Sequence, residues 1–119
     1  MKRAVKYSVT ETEDVLRRAH AALDEGDADT ARALAQTAFS LAESNHDQHL
    51  QAKALLCLGH GDRLVSRFRR AHDACRKAAQ LFRILGDAVG EAEALSTLAH
   101  AATCLGRNEE AVEAALLSV

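Results

Sequence analysis

The chain of 119 residues contains no proline and no tryptophan, and only 3% of its residues are aromatic. Proline is the residue that most strongly interrupts a helix, so its absence leaves long helices unbroken. Alanine and leucine supply most of the apolar content, and both are strong helix formers. The composition therefore predicts an all-helical protein, and the length is that of one domain with a modest core.

Sequence features that accompany export, membranes or bound metals are also missing. The three cysteines are an odd number and form no CxxC pair, which argues against a disulfide framework and a zinc site. The basic opening MKRAVKYSVT is not followed by a continuous apolar stretch, and no window approaches the roughly 18 apolar residues of a membrane span. We therefore expect a cytoplasmic protein with reduced thiols, no cofactor and no membrane partner.

The chain has no excess of basic charge either, because its formal net charge is −2. Nucleic acid is a poor partner for such a chain. The charges are unevenly distributed: acidic, basic and acidic blocks follow one another along the sequence. We therefore expect the partner to be a protein or peptide.

A repeat of forty residues runs through the chain, and Ala31, Ala71 and Ala111 mark it. Within each unit, apolar residues recur three and four apart in two runs, which is typical of two amphipathic helices joined by a turn. Other residues of matching size recur at the same spacing: Val15, Leu55 and Leu95; Ala19, Gly59 and Ala99; Gly26, Ser66 and Gly106; Ala35, Cys75 and Ala115.

The repeat predicts three helical hairpins with six helices, the last one truncated. We expect an N-terminal extension at 1–10 and a repeat domain at 11–119, with units at about 12–51, 52–91 and 92–119. Asp27 and Asn108 are expected to cap the second helices of the first and third units. One hairpin cannot bury its own apolar face, so the units should stack as an all-α, α-α superhelix.

The segments LLCLGH, ALSTLAH, LGRNEEAVEAA and EGDADTARALAQTA resemble the tetratricopeptide repeat, over about residues 12–119. The chain departs from that family in its period, which is forty residues rather than about 34, and in lacking the family's aromatic residues and closing proline. The resemblance implies that the first helices line a concave groove that holds a peptide or partner domain. It also implies a docking or regulatory part of a larger bacterial signalling protein, such as a diguanylate cyclase or a transcription regulator.

The resemblance assigns groove positions to this sequence. They are Leu16, Arg17, His20, Lys53, Leu56, His60, Arg63, Ser96, His100 and Thr103. Three of these are histidines that recur every forty residues. We interpret them as peptide contacts; a metal site or a pH sensor is the alternative.

Two further surfaces stand out. The first is a basic run in the second unit: Arg67, Arg69, Arg70, Arg76 and Lys77. It could receive an acidic partner or the acidic first unit of a neighbouring molecule, or it could be a solvated helix face paired with Asp62 and Asp73. Only Phe68 is aromatic in this run, which disfavours nucleic acid.

The second surface is the apolar face of the last helix, with Val112, Leu116 and Leu117. A helix that follows would normally cover such a face. Either the chain is a fragment of a longer protein, or the face is buried against a second copy, with helix exchange as one route to a homodimer.

No catalytic constellation is found at diagnostic spacing, so we do not expect an enzyme. The sequence favours a scaffold for protein–protein interaction. A self-associating structural unit is the alternative.

Overall fold

The computed structural model describes residues 9–117, with the side chains of all of these except 111, 115 and 117. They form five α-helices and no strand: α1 Val9–Asp24, α2 Ala28–Ser44, α3 Gln48–Leu64, α4 Phe68–Leu85 and α5 Ala88–Leu117. Each helix packs against the next one, and α3 also contacts α1 and α5. The prediction of an all-helical fold is confirmed.

The four connections between helices are copies of one turn of the Schellman type. In each, a backbone N–H donates to the carbonyl five residues earlier, at 2.8 to 2.9 Å: Asp27 to Ala22, Asp47 to Ala42, Arg67 to Asp62 and Asp87 to Phe82. The residue before each donor has a left-handed backbone: Gly26, His46, Ser66 and Gly86, with φ of 79, 56, 62 and 78°. The left-handed residues thus recur every twenty positions along the chain.

Three of the helices that follow these turns have an aspartate as the N-cap residue. Asp27, Asp47 and Asp87 each accept a hydrogen bond from the backbone N–H three residues later. A side-chain oxygen at this place satisfies one of the free donors in the first helical turn. Arg67 occupies the same position before α4 and makes no such bond, because a guanidinium has no acceptor.

The helices approach one another where their residues are small. Gly59 is buried, and a Cβ added there would lie 2.3 Å from Cys75 Sγ. Gly90 plays the same part between α4 and α5, since an added Cβ would lie 2.4 Å from a ring carbon of Phe82. The ring of Phe82 is 1% exposed and anchors the packing of α3, α4 and α5.

The third hairpin differs from the prediction. α5 is one continuous helix of 30 residues, so there are five helices rather than six, and Asn108 lies inside α5 instead of capping a sixth helix. Gly106 stands where the turn was expected. Glycine costs a helix only about 1 kcal/mol relative to alanine, so α5 can continue through this position.

Candidate functional site

A groove of about 660 Å³ lies between α1, α3 and the first turn of α5. It exists because the turns return every second helix to the same side of the molecule, where α3 contacts both α1 and α5. The residues that line it are His20, Leu23 and Asp24 of α1; His49, Lys53, Leu56, His60, Arg63 and Leu64 of α3; Phe82 of α4; Asp87 before α5; and Val89, Gly90 and Glu93 of α5.

Part of the groove's lining is apolar. Leu56 and Phe82 are 7% and 1% exposed and belong to the core beneath the groove. Leu64 and Val89 are 44% and 73% exposed. Exposed apolar side chains above a buried apolar floor can hold an apolar side chain of a ligand.

The polar side chains of the groove carry both signs of charge. Lys53 and Arg63 are in no ion pair with another residue of the described chain. Asp24 and Glu93 are exposed and supply the acidic groups. These two cations can therefore receive a carboxylate of a ligand.

His60 is half-buried in this groove. Burial is the main cause that lowers the pKa of its imidazole from 6.5, the Arg63 guanidinium and His20 lower the pKa further, and Glu93 opposes them. Because the neutral ring is favoured, His60 presents one hydrogen-bond donor and one acceptor at neutral pH.

A small polar cluster fixes the end of the groove. His49 Nε2 lies 2.9 Å from Asp87 Oδ2, while Asp87 Oδ1 accepts the backbone N–H of Gly90 at 2.9 Å. The bond from Gly90, and next that from His49, lowers the pKa of the Asp87 carboxyl. The His49 ring packs edge-on against Phe82, with 5.9 Å between centroids. The cluster ties the start of α3 to the start of α5.

A second groove of about 310 Å³ adjoins the first and shares His20 and Lys53 with it. Its other lining residues are Glu13, Leu16, Arg17 and Leu50. Seven of the ten groove residues expected from the resemblance therefore line one or both grooves: Leu16, Arg17, His20, Lys53, Leu56, His60 and Arg63.

The remaining three, Ser96, His100 and Thr103, are exposed on α5 and line neither groove. His20 and His60 thus share a groove, whereas His100 instead lies with its Nε2 3.7 Å from Cys104 Sγ. Among the residues that the structure describes, no three histidines, cysteines or acids come together to hold a metal ion.

The two buried thiols, Cys57 and Cys75, are poorly suited to act as nucleophiles. Burial raises the pKa of Cys57 and of Cys75 to about 11. Both thiols therefore stay protonated at neutral pH, and a protonated thiol is a weak nucleophile.

The basic run lies on α4 and its preceding turn, away from the grooves, and all five of its side chains are exposed. Arg69 lies 3.5 Å from Glu109 of α5, and Arg76 lies 4.0 Å from Asp73. The expected partner Asp62 is engaged elsewhere: it is 7% exposed and lies 2.9 Å from Arg32 of α2. The run is therefore only partly paired within the described chain.

The predicted self-association surface lies on the last part of α5. Val112 and Leu116 are 60% and 71% exposed. The side chain of Leu117, the third residue of that prediction, lies outside what the structure describes.

Comparisons with protein-family models, with curated proteins and with solved structures found no match for this chain. Within residues 9–117, no helix has the length and apolar character to cross a membrane.

Proposed function

We propose that this chain is a protein-interaction module that binds a peptide segment or a helix of a partner protein in the groove between α1, α3 and α5. The observation that carries the proposal is the groove itself, which is lined by the exposed Leu64 and Val89 together with the buried Leu56 and Phe82. Soluble proteins expose such apolar surface inside a concave site mainly where a ligand covers it.

The chemistry of the groove indicates the kind of segment it takes. An apolar side chain would fill the space over Leu56 and Phe82. A carboxylate beside it in the ligand would pair with Lys53 or Arg63. We therefore propose a ligand segment with an apolar anchor next to an acidic residue.

The wider context is also a proposal. A turn repeated every twenty residues and the contacts of α3 with α1 and α5 support a superhelical stack of the tetratricopeptide type. That resemblance supports a docking part of a larger bacterial signalling protein.

The test selects peptides from a random displayed library on the wild-type chain and measures their affinities for matched variants. Val89→Glu places a charge in the groove. Its control, Ile84→Glu, places the same charge on α4, outside the groove. The two side chains are similarly exposed, at 73% for Val89 and 75% for Ile84. We expect Val89→Glu to weaken binding at least about tenfold and Ile84→Glu to leave it unchanged. Equal binding to both variants, or a selection that enriches no peptide, would contradict the proposal.

The charge preference has its own pair of variants. Lys53→Glu reverses a charge in the groove, and Lys77→Glu reverses one on the exposed face of α4. Peptides that carry an acidic residue should bind the Lys53→Glu variant more weakly than the wild type and the Lys77→Glu variant as tightly as the wild type. If both variants lose affinity equally, long-range charge rather than the groove governs binding.

A further inference from the structure

The spacing of the turns sets an expectation for α5. Left-handed residues occur at 26, 46, 66 and 86, so the next position in the series is 106, and residue 106 is a glycine. Glycine is the residue best suited to that backbone conformation. Nevertheless α5 continues through Gly106 without a turn.

A face of α5 is left bare as a result. In the first two units the corresponding face is covered by the second helix of the hairpin, so that Ala19 is 0% exposed and Gly59 is buried. In the third unit Ala99 and Ala102 are exposed, and Leu95 is 46% exposed. Within residues 9–117, no second helix covers the surface of α5 that corresponds to the hairpin surface of α1 and α3.

The segment that matches this surface lies in the same helix. Residues 108–117 repeat the sequence of α2 and α4, with Ala111 and Ala115 forty positions after Ala71 and Cys75. Ala71 and Cys75 are 0% exposed because they face α3. One straight helix cannot fold onto itself, so residues 108–117 cannot cover this face of α5 within one chain.

We propose that two copies of this chain exchange residues 108–117, so that the end of α5 from each copy packs on the bare face of α5 in the other. The two α5 helices would run antiparallel and cross near Gly106. Exchange of an identical element rebuilds, between copies, the interface that α1 and α2 or α3 and α4 form within one copy. This inference does not rest on the proposed groove function.

Charge favours the same arrangement. The exchanged segment carries Glu109, Glu110 and Glu113 and no basic residue. α4, which packs along α5, carries the exposed basic side chains of Arg69, Arg70, Arg76 and Lys77. Arg69 lies 3.5 Å from Glu109 of the same chain, which places a basic group of α4 beside the point where the two copies would cross.

The first experiment is sedimentation velocity over a range of protein concentrations, with variants at Gly106 and Asn108, where the turn was expected. Gly106→Ala favours a continuous helix and disfavours the left-handed turn, and no atom would obstruct the added Cβ. Because α5 is already continuous in the single chain, we expect the variant to dimerise with a dissociation constant no higher than that of the wild type. Asn108→Pro interrupts a continuous helix but is tolerated at the first position of a new one, so we expect a monomer with a closed hairpin.

Two further variants test the contact between the two copies and leave residues 106–108 unchanged. Leu116→Glu should weaken the dimer, and Ile84→Glu, at a comparably exposed position on α4, should not. A wild type and a Gly106→Ala variant that both remain monomeric would overturn the proposal. A dimer that survives unchanged in Asn108→Pro and Leu116→Glu would overturn it as well.

Cross-linking identifies which chain supplies the covering segment. Ala99 and Ala115 correspond in the repeat to Gly59 and Cys75, where an added Cβ would lie 2.3 Å from the sulfur. We expect Ala99→Cys with Ala115→Cys, in a Cys104→Ser background, to form a covalent dimer when oxidised with oxidised glutathione. A disulfide that closes within one chain, seen as the monomer mass on a non-reducing gel with no free engineered thiol, would overturn the exchange.

Discussion

At the residue scale, two turns hold an unfavourable backbone conformation. His46 and Ser66 have φ of 56 and 62°, where the other two turns use glycine. A side chain with a Cβ is strained in the left-handed region, while glycine is not. The turns at His46 and Ser66 are therefore tolerated because the helices on either side fix them, and each one costs the fold some stability.

This strain predicts that Ser66→Gly raises the free energy of unfolding by about 0.5–1 kcal/mol. The matched control is Ser40→Gly, at an exposed position inside α2. There glycine should lower the free energy of unfolding by about 0.5 kcal/mol, because it is the poorer helix former. Urea denaturation measures both values, and two changes of the same sign would contradict the account.

The lowered pKa of His60 makes stability depend on pH. Burial of the imidazole disfavours the charged form in the folded chain, so the unfolded chain binds a proton more readily. The contribution of His60 is therefore complete above pH 6.5, its unfolded pKa, and is lost as the pH falls through the lower folded pKa. His60→Gln should make the free energy of unfolding less dependent on pH below that value, as measured by urea denaturation at several pH values.

At the element scale, a nearly buried ion pair joins the first hairpin to the second. Arg32 Nε of α2 lies 2.9 Å from Asp62 Oδ1 of α3, with side chains 17% and 9% exposed. The contact is ionic but lacks the geometry of a hydrogen bond. Gly61 makes room for it, since a Cβ there would lie 2.5 Å from Arg32 Cγ.

Removal of Asp62 leaves Arg32, in a poorly hydrated site, with only the exposed Asp29 at 3.3 Å. We expect Asp62→Ala to lower the free energy of unfolding by about 2–3 kcal/mol. The double variant Arg32→Met with Asp62→Ala should lose less than the two single variants together, because no unpaired charge remains. If the losses of unfolding free energy in the two single variants add up to that of the double variant, measured by thermal or urea denaturation, the two side chains have no coupling energy.

The helices and their turns were the most predictable elements, for local reasons. Apolar spacing predicted the helical hairpins to which α1 to α4 belong, and Asp27 caps α2 as predicted. The prediction of a sixth helix was wrong because Gly106 is compatible with both a turn and a helix. Only the surroundings of Gly106 decide between the two. Asp87 could be recognised as a helix cap, but its bond to His49 joins residues 38 positions apart, which local pattern does not reveal.

The lining of the groove could be predicted only in part from the sequence, because the repeat places residues correctly only where a hairpin is complete. Residues of α1 and α3 fell where the repeat placed them because those helices belong to complete hairpins. Ser96, His100 and Thr103 lie on α5 beyond the groove, which ends near Glu93. Phe82, which lies under the groove, comes from α4, a helix that the resemblance assigns to the opposite side.

At the scale of the whole molecule, packing decreases from the middle of the chain towards the end of α5. α3 contacts all four other helices, whereas Val112 and Leu116 are largely exposed. Local opening requires least free energy where few apolar contacts are broken. The described chain should therefore have its most stable amides in α3 and its least stable helical amides beyond Gly106.

Hydrogen exchange measured by mass spectrometry tests this gradient and connects it to assembly. At low concentration, where the chain is monomeric, we expect peptides from 107–117 to exchange much faster than those from α3, because they lack packed neighbours. At high concentration a second copy covers the bare face, so protection of 107–117 should rise while that of α1 stays constant. Protection that is uniform along α5 and independent of concentration would mean that residues 107–117 are already packed within one chain.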